Sequence, residues 1–129
     1  MKLTASLQKN LNPIKRELSS DDVTFMDFTI CGANAVLIFV NDIVDKKAVG
    51  ELILRPLAET IEKTSVKKIS ETVLVPEKKE TETTEEVVAE VVSGNVCLVA
   101  DGLKTAFSFG LKKFEKRGIS EPPTSTVLK

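Results

Sequence analysis

No histidine occurs anywhere in the 129 residues, and there is neither tryptophan nor tyrosine. The missing histidine removes the side chain most used for general acid–base work near neutral pH and the commonest metal ligand. It also excludes Ser-His-Asp and Cys-His constellations. Without Trp or Tyr the chain lacks the usual rings for stacking on bases or sugars, and the six phenylalanines sit mostly in apolar runs that read as core. A formal net charge of −1 gives no electrostatic case for nucleic acid or an anionic membrane surface. The two cysteines, Cys31 and Cys97, form no CxxC pair for zinc or redox chemistry. Each is flanked by apolar residues and reads as a small buried hydrophobe, with a disulfide between them left open. No run approaches the roughly 20 apolar residues that span a bilayer, and the N-terminus has no secretory h-region. The expectation is a soluble, cytoplasmically made, non-enzymatic chain with no cofactor, no bound metal and no direct membrane insertion.

What is present is globular: 42% hydrophobic and 29% charged residues, enough for one modest core. Leu3, Leu7, Leu11, Ile14 and Leu18 recur at helical spacing. Pro13 either breaks that run or, with Asn12 as N-cap, starts a second helix. Val23–Ile30 is rich in β-formers, with Met26, Phe28 and Ile30 on one face. After the turn signal Cys31-Gly32-Ala33-Asn34, the apolar run Ala35–Val40 reads as a central strand. Asp45 is placed to cap a helix carrying Val49, Leu52, Ile53 and Leu57. Thr72–Val75 suggests a short strand, and the charge-dense stretch Glu77–Glu86 a solvated loop. Thr83 with Glu86 is a capping box for a helix carrying Val87, Val88, Val91 and Val92, and Gly94 is its C′ residue. Val96–Ala100 is a second buried strand. Asp101-Gly102 is a hairpin turn returning Leu103–Phe109. Gly110–Arg117 reads as basic, at most one helical turn. The two strands that end in Asn41-Asp42 and Asp101-Gly102 echo one another, but not closely enough for a duplication. The fold class is α/β: a single small domain with a mixed sheet of about four to five strands packed by three to four helices.

Few residues suggest a site. Asp42, Asp45 and Asp101 follow strand ends, where α/β proteins commonly bind ligands, yet turn and cap roles favour Asp at such positions for purely local reasons, and that is the reading preferred for each. Arg117 and Glu121 bracket Gly118-Ile119-Ser120 and precede Pro122-Pro123. That pattern suits a stiff, extended connection rather than a helix.

Four stretches then stand in a telling order: LQKNLNPIKRELSSDDVTFMDFTI, AVLIFVNDIVDKKAVGELILRPL, SGNVCLVADGLKTAF and KRGISEPPTSTVLK. Together they resemble the N-terminal domain of spore germinant receptor A subunits, the GerA family of endospore-forming bacteria. The likeness covers most of the chain except a variable charged loop near 62–82. Family members often carry Gly where Asp42 stands, and the chain ends at Lys129, just before an expected Gly-Pro. The resemblance therefore implies a first subdomain over 1–118 and a linker over 119–129 toward a second subdomain. It further implies a part in sensing or transmitting the nutrient signal that triggers germination, in a protein held in the spore inner membrane. The implied partners are other receptor subunits (A, B and C) and a small nutrient germinant. Asp42, Asp45, Asp101, Gly102, Arg117, Glu121 and Pro122 become candidate motif or interface positions. An assembly module contacting neighbouring subunits, or an unrelated small α/β adaptor, are the alternatives.

Overall fold

The computed structural model describes residues 1–60 and 65–113. Helix α1 (Leu7–Glu17) starts where Ser6, in extended conformation, accepts the Lys9 amide on its hydroxyl. Its buried stripe is Leu7, Asn10, Leu11 and Ile14, while Leu3 and Leu18 are buried just outside the helix. Pro13 lies inside α1 and does not divide it. A proline there removes one ladder hydrogen bond, and packing of the apolar stripe outweighs that loss. Asn12 is no cap; it accepts a hydrogen bond from the Gln8 amide at 2.9 Å. The extended segment before α1 is held by Asn10, which is fully buried. The Asn10 amide receives the Thr4 N–H and donates to the Thr4 carbonyl, both at 2.8 Å, as a neighbouring strand would.

Strands β1 (Val23–Ile30) and β2 (Ala33–Val40) form a hairpin around Cys31-Gly32, both at positive φ. Cys31 is therefore exposed at a turn tip rather than buried, and it is not bridged to the buried Cys97. After β2, α2 (Lys46–Val49), a π-helical stretch (Gly50–Leu54) and α3 (Arg55–Ala58) run on as one helical segment. It buries Val49, Ile53 and Leu57, but leaves the expected Leu52 exposed. Helix α4 (Val66–Thr72) follows, so Thr72–Val75 is a helix end and connector, not a strand. Strand β3 (Lys78–Thr81) falls inside the stretch expected to be a charged loop. Helix α5 (Thr84–Val92) carries the complete Thr83/Glu86 capping box. It ends in a Schellman turn: Gly94 donates to the Val91 carbonyl and Asn95 to that of Glu90. Val87 and Val91 are buried, whereas Val92 faces solvent. Strands β4 (Val96–Ala100) and β5 (Ala106–Phe109) complete the fold, joined by a loop longer than the tight turn expected at Asp101-Gly102.

The domain is a single small α/β unit with a five-stranded sheet in the order β1-β2-β4-β5-β3. Every pairing is antiparallel, so the sheet is not mixed. The reason lies in the β3–α5–β4 crossover, whose strands run the same way. Strand β5 hairpins back from β4 and inserts between them, splitting the parallel pair.

The sheet separates two cores. On one face Leu37, Phe39, Leu98, Phe107 and Phe109 pack under the α2–α4 layer with Ile53, Leu57 and Ile69. On the other, Val36, Ile38, Cys97 and Val99 pack under α1 and α5. The strict alternation along β2 and β4 explains their continuous apolar runs: both faces are covered. Burial pushes the Cys97 thiol up to about 12, with the Glu90 carboxylate as a lesser cause. Cys97 is thus expected to be inert to a thiol reagent until the chain unfolds, while Cys31 reacts in the native state. A disulfide-exchange titration of native and denatured chain checks this; two rapidly reacting native thiols would contradict the burial.

Candidate functional site

The sheet's antiparallel sense separates the candidate acids. Asp42 is exposed in the turn after β2, and Asp45 begins α2 beside it. Asp101 follows β4, whose C-terminal end lies beside the start of β2. The two sets thus sit at opposite ends of the sheet, roughly 25 Å apart at about 3.4 Å per strand residue. Among the described residues, no group of three or more Cys, Asp or Glu is arranged to hold a metal ion. Asp101 and Asp45 instead serve the fold through hydrogen bonds. The Asp101 carboxylate accepts the Leu7 amide at 3.0 Å, at the positive end of α1, while its own N–H donates to Asn34 at 2.8 Å. Gly102, at φ 89°, donates to the Ala5 carbonyl at 2.7 Å. Asp101-Gly102 therefore ties the N-terminal segment to the sheet, a contact that local sequence could not reveal. The Asp45 carboxylate accepts the amides of Lys47 and Ala48 at 3.1 and 3.2 Å, the cap that its position predicts. Arg117, Glu121 and Pro122 lie outside the described residues.

Asp45 also belongs to a junction that sequence reading missed. Its N–H donates to the Leu111 carbonyl at 2.8 Å, and the Lys113 N–H donates to the Ile43 carbonyl at 2.7 Å. Val44 and Lys112 form an antiparallel bridge between these bonds. Val44 and Leu111 are buried in the same core as the α2–α4 layer. The chain leaving the sheet after β5 is thus clasped to the head of α2 by backbone bonds. Gly94 completes the clasp: at φ 98° it is buried against the Ile43 methyl and the Lys112 stem. The one advance signal was an apolar residue, Leu111, standing before the lysines of Gly110–Arg117.

Beside this junction Glu90 organises a polar cluster. Its carboxylate accepts the Ser108 hydroxyl at 2.7 Å, the Asn95 amide at 2.9 Å and the Lys79 ammonium at 3.1 Å. Ser108 foremost, with Lys79 and Asn95, holds the acid below the ordinary value of 4.5 against an opposing desolvation effect. A lowered folded-state pKa contributes stability above the unfolded value, and that contribution is lost as pH falls through the folded one. Glu90→Gln is therefore expected to cost about 1 kcal/mol near neutrality and to flatten the acid limb below pH 4.5. Urea midpoints between about pH 3 and 7 read this out; parallel wild-type and variant curves would contradict it.

Two grooves remain. One, of about 540 Å³, runs between α1 and α5, lined by Pro13, Arg16, Glu17, Thr84, Val88 and Ala89. The other, of about 600 Å³, lies between the start of α1 and the β1–β2 face, with Lys15, Asp27 and Asp101 on its walls. Both are open to solvent. No helix among the described residues is long and apolar enough to cross a membrane.

Comparison with known proteins adds to this geometry. Residues 9–129 match the family model described as Bacillus/Clostridium GerA spore germination protein. Spore germination protein B1 of Bacillus subtilis (strain 168) is 25% identical over 133 aligned residues, which take in 98% of this chain. The chain spans only 28% of that relative's length. Among solved structures, the N-terminal domain of the A subunit of the Bacillus megaterium spore germinant receptor GerK3 has the same fold. The two align with a TM-score of 0.64 and 20% identity, over 84% of this chain and 94% of that one.

Proposed function

This chain belongs to the GerA family of Bacillus and Clostridium spore germination proteins, and on that premise we propose that it transmits the nutrient signal within a germinant receptor. It acts as a soluble, non-enzymatic domain of the A subunit, in a membrane-held receptor with B and C subunits as neighbours. It needs no cofactor. The observation that carries this reading is the clasp between Ile43–Asp45 and Leu111–Lys113. Through it, the outgoing chain and the head of the α2–α4 layer cannot move independently without breaking backbone hydrogen bonds. A shift of that helical layer, imposed by nutrient or by a neighbouring subunit, is passed to whatever follows Lys113.

The test is a germination dose–response in spores whose full-length subunit carries Asp45→Ala. Loss of the cap weakens the clasp without touching either groove. A transmission role lowers the maximal germination rate severalfold and leaves the half-saturating nutrient concentration unchanged. A shift in half-saturation at unchanged maximal rate would assign the domain to sensing instead. A charge placed in the α1–α5 groove, Val88→Glu, is the complementary variant, expected to leave half-saturation where it is.

A further inference from the structure

The two edges of the sheet are protected very differently. Strand β3 is a short edge of Lys78-Lys79-Glu80-Thr81, whose charges discourage pairing. Strand β1 is an eight-residue edge, Val-Thr-Phe-Met-Asp-Phe-Thr-Ile, without proline or lysine. The turn at Cys31-Gly32 makes Ile30 and Ala33 a hydrogen-bonded pair, so the even-numbered residues of β1 bond to β2. The odd-numbered residues point their backbone groups outward. Among the described residues, nothing pairs with the outward N–H and C=O groups of Phe25, Asp27 and Thr29. Beside this open row, Phe25, Met26 and Phe28 are only half-buried, each packed on its inner side against a core. Asp27 is exposed at the centre of the strand and makes no ion pair among the described residues.

We propose that the β1 edge is an interaction site that takes an extended strand from another polypeptide, continuing the sheet antiparallel to β1. The chemistry of that strand follows from its neighbours. Residues facing the α2–α4 side lie against Met26 and Phe28 and are apolar. Those facing the α1 side lie beside Phe25, Asp27 and the Lys15 ammonium that covers the Phe25 ring at 5.5 Å, and include a Lys or Arg opposite Asp27. A second copy of this chain fits poorly. In either register centred on the strand, a two-fold β1–β1 pair sets the two Asp27 carboxylates opposite or diagonal on one face, where like charges repel. The inference stands apart from the transmission reading and does not depend on it.

The experiment uses the 129-residue chain, isotopically labelled, and a nine-residue capped peptide at up to about 1 mM. The peptide alternates valine with threonine and carries one lysine at its centre. Amide exchange is followed by NMR. The expected result is rapid exchange at Phe25, Asp27 and Thr29 in the free chain, slowed on the order of tenfold by peptide, with Lys79 and Glu80 unchanged. Asp27→Pro removes an outward donor but no bond to β2, so it abolishes this protection while the β1–β2 amides stay protected. Asp27→Ala keeps the donor and loses only the charge, so binding weakens severalfold. Four outcomes would overturn the proposal: no binding at 1 mM, protection at β3 or in the α1–α5 groove, dimerisation of the chain through β1 in sedimentation, or the three amides already protected in the free chain by its own residues.

Discussion

Truncating Phe109 to alanine is expected to remove about 3–5 kcal/mol of stability, the largest loss from any single substitution considered. Phe109 is fully buried on β5 and stacks on Phe107, with ring centroids 6.0 Å apart and planes within 2°. It pairs with both Val96 and Lys78, so it stands where β4, β5 and β3 meet. The hole left by the ring cannot be filled by sliding the strand, because Phe107 and Ser108 are locked in the same ladder. Domains of this size hold a net stability of only about 5–15 kcal/mol, so the variant should be marginal at best. Chemical denaturation is the check. The matched control is Leu74→Ala, at a residue 77% exposed, expected to change stability by less than about 0.5 kcal/mol. Equal losses at the two sites would mean that the core is misplaced.

The second large effect is Gly94→Ala. A left-handed φ of 98° is strained for any L side chain, and the added Cβ would lie 2.8 Å from the Ile43 Cγ2 and 3.0 Å from the Lys112 Cε. Lys112 is flexible and can withdraw. The Ile43 Cγ2 sits directly on the β-carbon, so it gives way only by a change of χ1 or by a shift of the backbone whose carbonyl holds the Lys113 amide. The backbone strain of about 1–2 kcal/mol and the displacement of Ile43 together predict a loss of at least about 2 kcal/mol. The loss should also loosen the junction selectively. In spores the same variant is expected to lower the maximal germination rate. By contrast Gly32→Ala, in a turn where a Cβ meets nothing, should carry backbone strain alone and leave germination unaffected.

Wherever one local force dominates, this structure could be read from residues alone. The α1 stripe, the doubly covered β2 and β4, the Thr83/Glu86 box, the Asp45 cap and the Gly94 terminus each depend on neighbours within a turn or a strand. Strand β3 was obscured because edge protection requires the charges that otherwise mark a loop. Helix continuity through Pro13 was obscured because distant packing outweighs a single missing bond. The antiparallel sense of the whole sheet depends on where β5 inserts, a choice that no local pattern records. The site was less legible than the fold. Asp42, Asp45 and Asp101 were recognisable as turn or cap residues, but Leu7, the partner of the Asp101 carboxylate, lies 94 residues away. The junction that supports the functional reading is made of backbone groups, whose partners no side-chain motif announces. Arg117, Glu121 and Pro122, in the last of the four stretches that carry the family resemblance, lie outside the described residues.

That junction is most directly tested by native-state hydrogen exchange of the Asp45 and Lys113 amides in wild-type chain and in Asp45→Ala. Coupling through the clasp predicts that both amides open with the same free energy, and that loss of the cap speeds both by the same factor. Lys113 exchanging at its intrinsic rate, or staying unchanged while the amide at position 45 accelerates, would contradict the account.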